Sequence, residues 1–324
     1  MSGAASAIAA ERAAVDGKPK VTFRHAGDRF LLVEYGEMEF DLQLNFRVLT
    51  VNGVLRDRGL DGLVDTGPGL RSNLIRYDPA KIDPKRLIAE LEDAEDEVPA
   101  GGELEIPSRV IHLPIAFDDA ASRDAVERYM RSVRDDAPNV EGANNIDYIV
   151  RYNGLADREA LYAEVLATEW WNAFTGFFPG LPFMYPLDPR YAVFAPKYNP
   201  TRTWTAEGAV GLGGPCVAIY PVESPGGYQL FGRTLPIYDL AGRNGAFRSD
   251  PILIKPGDRV LFHRVEEDEL SRLWEEVRAD RYEYRIEDDP FDVESWIRHC
   301  EAVREEADEH RRRREVASEG TPVP

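Results

Sequence analysis

Two positively charged side chains stand five positions apart in a proline-punctuated stretch, AVFAPKYNPTRTW, at residues 192–204. Lys197 and Arg202 could hold an anionic ligand, because a guanidinium donates two parallel hydrogen bonds to a carboxylate and an ammonium is a compact charge. Prolines on both sides of Asn199 exclude a regular helix and favour a stiff loop. The alternative is a surface loop stiffened by proline, with its aromatic side chains packed underneath.

A second stretch, SPGGYQLFGRT at residues 224–234, places hydrogen-bonding side chains beside two glycines. Glycine has no side chain, so a ligand could approach this backbone closely. A tight β-turn would explain the glycines equally well but leaves the arginine unaccounted for. The candidate substrate-binding residues here are Gly226, Gly227, Tyr228, Gln229 and Arg233.

Charge and composition exclude several kinds of site. The net charge of −19 opposes broad binding to nucleic acid or to an anionic membrane surface. No run of about eighteen apolar residues predicts a membrane span. The five histidines lack ligand spacing, and Cys216 and Cys300 have no CxxC partner, so we expect neither a metal site nor a disulfide framework. These features favour a cytoplasmic protein.

The elements that must position these residues begin at Val21 with two strand-like segments, VTFRH and RFLLVEYG. Helical spacing follows in LQLNFRVLTVNGVLRD, with Asp41 as a plausible N-cap. A second amphipathic helix, KIDPKRLIAELEDAEDEV, carries Pro84 in its first turn. With SRVIHLPIAFD as a closing strand, the order predicts an α+β domain with helices on one face of a mixed sheet.

Beyond residue 119 the pattern is first helical and then strongly β. After Phe174, short apolar runs alternate with glycine and proline, which is typical of a β-barrel or sandwich with long loops. The predicted domains are a flexible N-terminal arm (1–20), an α+β domain (21–150), a β-barrel (151–267) and a charged helical tail (268–324) with a disordered end.

Taken in order from about Val21 to Val265, these segments resemble the KipI or allophanate-hydrolase-subunit-1 family. The resemblance is carried by RSNLIRYDP, GFFPGLPF, PLDPRYAVFAPKYNPTRTW, YPVESPGGYQLFGRT and KPGDRVLF. Within that family, VEYGEMEFDL, SRVIHLPIAFDD and KYNPTRTWT are more similar to the matching half of the carboxyltransferase domain of urea carboxylase than to the related subunit of 5-oxoprolinase.

The resemblance implies a ferredoxin-like N-terminal α+β domain, a cyclophilin-like β-barrel and a tail similar to the segment that leads to the biotin-carrier domain. It also implies an enzyme, a carboxyltransferase subunit that moves a carboxyl group from carboxybiotin to an amide- or urea-type nitrogen. Its partners would be a subunit-2 (KipA-like) half, which completes the active site, and a biotin carboxylase with its biotin carrier, which uses ATP. No Met-Lys biotin acceptor occurs in this sequence, so a partner would carry the biotin.

Carboxyl transfer requires that the departing carboxylate be held, the ureido oxygen polarised and the acceptor nitrogen oriented. On this resemblance Lys197 and Arg202 are the catalytic candidates. Asn199, Tyr228 and Gln229 would hydrogen-bond the acceptor.

One departure from urea carboxylase bears on the substrate. TGFFPGLPF stands where urea carboxylases are similar to GDVYLGAP, so Gly176 replaces an acid that would suit the N–H groups of urea. An apolar wall of Phe177, Phe178 and Phe183 would favour a larger acceptor, which adds Phe178 to the substrate-binding candidates. The same stretch is similar to the related 5-oxoprolinase subunit, which leaves an ATP-dependent amide or lactam hydrolase as one alternative. A KipI-like histidine-kinase inhibitor is the other.

Overall fold

The computed structural model describes residues 6–324, which divide into two compact units. The first unit runs to Pro107 and also contains Pro290–Ile297, and the second comprises Ser108–Asp289 and Arg298–Pro324. Within the described residues, no helix has the length and apolar character needed to cross a membrane. A cytoplasmic location stays a prediction.

The first unit is built on a five-stranded sheet in the order β1-β2-β3-β5-β4, and every pairing in it is antiparallel. A small separate ladder pairs β6 with the short strand Phe291–Asp292. The predicted mixed sheet is therefore wrong, and the ferredoxin-like arrangement stays a prediction. The elements are β1 (Ile8–Arg12), β2 (Val21–His25), β3 (Phe30–Tyr35), α1 (Leu42–Arg58), β4 (Leu63–Pro68), β5 (Ser72–Tyr77), α2 (Pro84–Glu97) and β6 (Glu105–Ile106).

Both helices of this unit begin at aspartate caps. The Asp41 carboxylate accepts a hydrogen bond from the Gln43 N–H at 2.8 Å, as predicted. Asp83 does the same for α2, whose first residue is Pro84, where a missing N–H costs little. Of the predicted flexible arm (1–20), the first five residues lie outside the described residues, and Ile8–Arg12 is a strand.

The second unit is a seven-stranded barrel. Its strands follow the order β12-β10-β11-β9-β8-β13-β7, and β7 pairs back with β12 to close the ring, while β14 adds to β7. This closed barrel is consistent with the predicted cyclophilin-like fold. Its strands are β7 (Arg109–Phe117), β8 (Trp170–Thr175), β9 (Pro182–Pro186), β10 (Ala209–Gly213), β11 (Cys216–Ile219), β12 (Gln229–Arg233), β13 (Arg259–Arg264) and β14 (Ile286–Asp288).

Strand β7 explains why the predicted boundary at residue 150 falls inside the second unit. It pairs in parallel with β13 from Arg259↔Val110 to Arg264↔Ile115, so the strand that was expected to close the first domain is a barrel strand. Three helices between β7 and β8 belong to the same unit: α3 (Ala120–Ser132), α4 (Ile146–Asn153) and α5 (Arg158–Leu166).

The tail is helical, as predicted, in α6 (Glu267–Arg278), α7 (Val293–Ala302) and α8 (Arg304–Glu319). It does not form a separate region, because the Trp274 indole in α6 donates to the Thr234 carbonyl of the barrel at 3.1 Å. The end predicted to be disordered also packs. Thr321 is buried, and the Tyr148 hydroxyl donates to the Pro322 carbonyl at 3.1 Å.

Candidate functional site

The two candidate stretches meet at a cleft of about 180 Å³ on the barrel unit. Lys197 comes from the first stretch, and Gly226, Gly227 and Tyr228 come from the second. Four of the nine predicted site residues are thus brought together. The remaining lining residues are Phe177, Leu181, Phe183, Thr201, Ala218 and Tyr220.

Backbone hydrogen bonds fix the loop that carries Lys197. The Tyr198 N–H donates to the Gly227 carbonyl at 2.7 Å, and Arg202 and Gly226 exchange two hydrogen bonds at 2.9 and 3.1 Å. The peptide bond between Asn199 and Pro200 is cis. Strand-like pairing with the glycine stretch therefore holds the loop, and the stiffness predicted from its prolines stays a prediction.

Lys197 presents its charge to the cleft. Its side chain is exposed, and Nζ lies 5.2 Å from the centroid of the Tyr228 ring. No carboxylate in residues 6–324 forms an ion pair with it. An ammonium over an aromatic face without a counter-ion can bind an anionic ligand.

Arg202 lies behind the cleft rather than in it. Its side chain is 1% exposed, Nη1 donates to the Tyr228 carbonyl at 2.6 Å, and Nη2 donates to Thr205 Oγ1 at 3.2 Å. The guanidinium also stacks on the Tyr198 ring, 4.5 Å from its centroid. Arg202 therefore fixes the backbone of Tyr228 and does not line the surface that a ligand would touch.

Gln229 also faces away from the cleft, into a buried polar network. Its Nε2 donates to the Pro196 carbonyl at 2.7 Å, and its Oε1 accepts from Asn139 Nδ2 at 3.0 Å. Asn145 Nδ2 reaches the Tyr198 hydroxyl at 2.6 Å, and burial raises the pKa of that phenol. Gln229 therefore anchors the loop from beneath and is not placed to bind an acceptor.

Tyr228 contributes its ring to the cleft. The residue is 9% exposed, and its ring meets Phe183 edge to face with centroids 6.5 Å apart. Burial raises the pKa of Tyr228 well above its usual range and that of Cys216 to about 12, so both stay neutral near pH 7. The ring lies so close to Gly213 that a Cβ there would be 2.3 Å from it.

Three other predicted residues lie outside the cleft lining. Asn199 is exposed, and its carbonyl accepts from Arg134 Nη1 at 3.3 Å. Arg233 lines a different cleft, where its guanidinium stacks 4.3 Å from the Trp274 ring centroid. Phe178 is half-buried and supports Phe177 edge to face at 4.9 Å. The substrate-binding role predicted for these three residues has no contact in the cleft to support it.

Sequence reasoning missed four lining residues: Leu181, Thr201, Ala218 and Tyr220. Ala218 and Tyr220 are two positions apart on and just after β11, and alternate residues of a strand share a face, so this signal was available. Tyr220 also explains why residue 226 is glycine, because a Cβ at that position would lie 2.3 Å from the Tyr220 hydroxyl oxygen. Thr201 gives no signal beyond its place in the loop.

The cleft is mostly apolar and carries one charge. Lys197 is its single ionisable cation, and no carboxylate stands among the lining residues. In residues 6–324 no group of three or more His, Cys, Asp or Glu side chains could hold a metal ion. The arrangement can hold an anion against ring faces, but it offers no carboxylate for acid–base chemistry.

Comparisons with known proteins point to one family. Residues 21–247 match the family model for the carboxyltransferase domain, subdomains C and D. The chain is 37% identical to the urea amidolyase of Saccharomyces cerevisiae over 281 residues, which are 86% of this chain. It is 30% identical to the 5-oxoprolinase subunit designated B of Escherichia coli over 162 residues, which cover 49% of this chain and 60% of that protein.

A solved structure supports the same relationship. The crystal structure of the Kluyveromyces lactis urea carboxylase matches with a TM-score of 0.84 and 33% identity over 97% of this chain. The present chain spans 28% of that protein and 15% of the yeast urea amidolyase. Most of the length of these relatives therefore lies outside the region that matches this chain.

Proposed function

The chain belongs to the family of carboxyltransferase domains, subdomains C and D, and from this premise we propose that its cleft transfers a carboxyl group to an amide- or urea-type nitrogen in a biotin-dependent, urea-carboxylase-like enzyme. The observation that carries the proposal is the Lys197 ammonium, which faces the cleft without a carboxylate partner in the described residues. A charge placed in this way stabilises negative charge that develops on a transferred carboxylate.

The lining residues fit a carboxylated cyclic urea. The ring face of Tyr228 suits its apolar part, and Lys197, which lies over that ring, suits its carboxylate. Gly226 and Gly227 line the cleft, and the space beside them is filled by Tyr220 and Thr201, so these glycines serve packing of the cleft wall. Carboxybiotin, when bound, would supply the activated carboxyl group. This chain's residues would hold the carboxylate, exclude water and orient the acceptor.

The roles of the predicted catalytic pair differ. Lys197 can touch the reacting groups, whereas Arg202 acts through Tyr228, whose carbonyl it holds at 2.6 Å. We therefore keep Lys197 as the catalytic candidate and treat Arg202 as a positioning residue.

The proposal includes partners. A KipA-like half would complete the active site, and a biotin carboxylase and a biotin carrier would use ATP and deliver the carboxyl group in the cytoplasm. The higher identity to the urea amidolyase and urea carboxylase relatives, over most of this chain, supports carboxyl transfer over the lactam-hydrolase alternative. We do not adopt the histidine-kinase inhibitor, because no feature of the cleft favours it.

The test is carboxyl transfer by the complex reconstituted with these partners. Lys197→Met should lower transfer by roughly 10²–10³-fold, as expected for loss of one preorganised electrostatic contact. Thermal stability should hardly change, because the side chain is exposed. Lys85→Met, at an exposed position of α2 in the first unit, is the matched control. Full transfer by Lys197→Met would refute the proposed role of the cleft.

A further inference from the structure

We propose that the cleft selects a neutral amide or urea that carries an apolar substituent, and that Phe177 determines this specificity. The inference rests on the proposed function, since it names the class of acceptor. It excludes unsubstituted urea and guanidinium as preferred acceptors of this chain.

Charge in the cleft disfavours a cationic acceptor. Guanidinium is a cation and would meet Lys197 as the single charged lining group. Urea and its N-alkyl derivatives share N–H donors and a carbonyl that can accept from the hydroxyl groups of Thr201 and Tyr220, so the polar lining residues do not separate them and the apolar wall must do so.

A rigid apolar wall lines the cleft. Phe183 stacks on Phe174 with ring centroids 4.5 Å apart and meets Tyr228 edge to face at 6.5 Å. Leu181 and Ala218 extend this wall. Urea has no apolar group to cover these side chains, whereas an alkyl or aryl substituent would remove them from water.

Phe177 is the most exposed part of this wall. Its side chain is 74% exposed, and its backbone φ of 65° lies in the left-handed region, which is unfavourable for a bulky residue. Hydrogen bonds from the Leu181 N–H to the Phe178 carbonyl at 3.1 Å and from the Gly176 N–H to the Leu181 carbonyl at 3.1 Å hold this turn. The chain thus maintains a strained turn that displays an aromatic ring at the cleft, where a ligand can cover it.

Position 176 has room for a side chain beside the wall. A Cβ there would lie 3.8 Å from Phe183 Cε2, an ordinary contact. A side chain at this position would point toward the wall and could bring a carboxylate to the cleft. Glycine at 176 therefore leaves the wall apolar where an acid could stand.

The experiment titrates the full chain with urea, N-methylurea, N-butylurea, N-benzylurea and guanidinium, and follows binding by NMR. Affinity should rise roughly fourfold for each buried methylene from methyl to butyl. Phe177→Asn should abolish most of this gain, because asparagine tolerates the left-handed backbone and lacks the ring. Leu240→Asn, at another exposed apolar position of the same unit, should leave the gain unchanged.

Gly176→Asp provides the reverse test. It should create measurable guanidinium binding and weaken N-benzylurea by about tenfold or more, since a carboxylate would then face the cleft. Equal affinities across the urea series, no binding by any member, or an unchanged series in Phe177→Asn would each overturn the inference.

Biotin methyl ester separates this inference from the proposed function. If it binds the wall in a Phe177-dependent manner and the alkylureas do not, the wall serves the carrier rather than the acceptor, which overturns the acceptor class but not carboxyl transfer. Conversely, full transfer by Lys197→Met in the reconstituted complex refutes the function, whatever the alkylureas do.

Discussion

Replacing Gly213 with alanine tests whether Tyr228 forms the floor of the cleft. Gly213 ends β10, and a Cβ added there would lie 2.3 Å from two carbon atoms of the Tyr228 ring, where ordinary contacts begin at about 3.4 Å. The ring cannot retreat easily. The residue is 9% exposed, Phe183 meets the ring edge to face, and Arg202 holds the Tyr228 carbonyl.

The expected cost follows from this overlap. Overpacking in a well-packed region costs about 1–3 kcal/mol. In a unit of this size each kcal/mol lowers Tm by about 2–4 °C, so Gly213→Ala should lower the melting temperature of the barrel unit by about 2–12 °C. N-benzylurea binding should fall as well, because displacement of the ring disturbs the cleft.

Two comparisons sharpen the assay, which is thermal unfolding followed by circular dichroism. Gly176→Ala makes the same chemical change where the new Cβ meets only an ordinary contact at 3.8 Å, so its effect should stay within about 0.5 kcal/mol. In a Tyr228→Ala background the overlap is absent, so Gly213→Ala should cost much less than it does in the native chain. An equal cost in both backgrounds would refute the assigned packing of Tyr228 on Gly213.

Two further predictions concern stability. Burial raises the pKa of Asp119 above its ordinary 3.8, so the folded state favours the protonated carboxyl and stability falls as pH rises through the raised pKa. Asp119→Asn retains an N-cap and does not titrate, so its Tm relative to the native chain should increase between pH 4 and pH 8; a constant difference would contradict this reasoning. Gly53 lies inside α1 with nothing within 4 Å of an added Cβ, so Gly53→Ala should raise stability by about 0.5–1 kcal/mol in denaturant unfolding, and a loss would show a hidden contact.

Local features of the fold could be predicted because local chemistry determines them. Asp41 and Pro84 were identified from side-chain type and position, and both occupy the expected cap and first-turn positions. Strand β7 was also identified as a strand, but its partner was not. Its parallel pairing with β13 joins segments distant in sequence, and alternating hydrophobicity contains no information about which distant strand is adjacent.

The site could be predicted in location but not in the direction of its side chains. Lys197 and Arg202 lie on either side of a bend at Asn199 and Pro200, so the spacing in the sequence does not determine which way each side chain points. Tyr228 and Gln229 are neighbours at the start of β12, where successive residues point to opposite faces, so Tyr228 faces the cleft and Gln229 is fully buried in the network below. Donor chemistry and the family resemblance assigned these four residues to one site, because neither distinguishes a side chain that binds substrate from one that supports the loop.

Lys197 and Arg202 therefore contribute to one site, Lys197 at the surface of the cleft and Arg202 beneath it. Lys197 lies over the Tyr228 ring, and Arg202 holds the Tyr228 carbonyl from behind. No carboxylate in residues 6–324 forms an ion pair with Arg202. Its guanidinium contacts the Tyr198 ring, the Tyr228 carbonyl and the Thr205 hydroxyl, and these neutral groups compensate the buried charge only in part. Because its field is not neutralised by an acid and is weakly screened by water, it adds to the attraction that Lys197 exerts on an anion in the cleft. Arginine suits the inner position, since its planar fork satisfies two acceptors and stacks on a ring at the same time, and lysine suits the outer one, where a single mobile charge can follow a carboxylate.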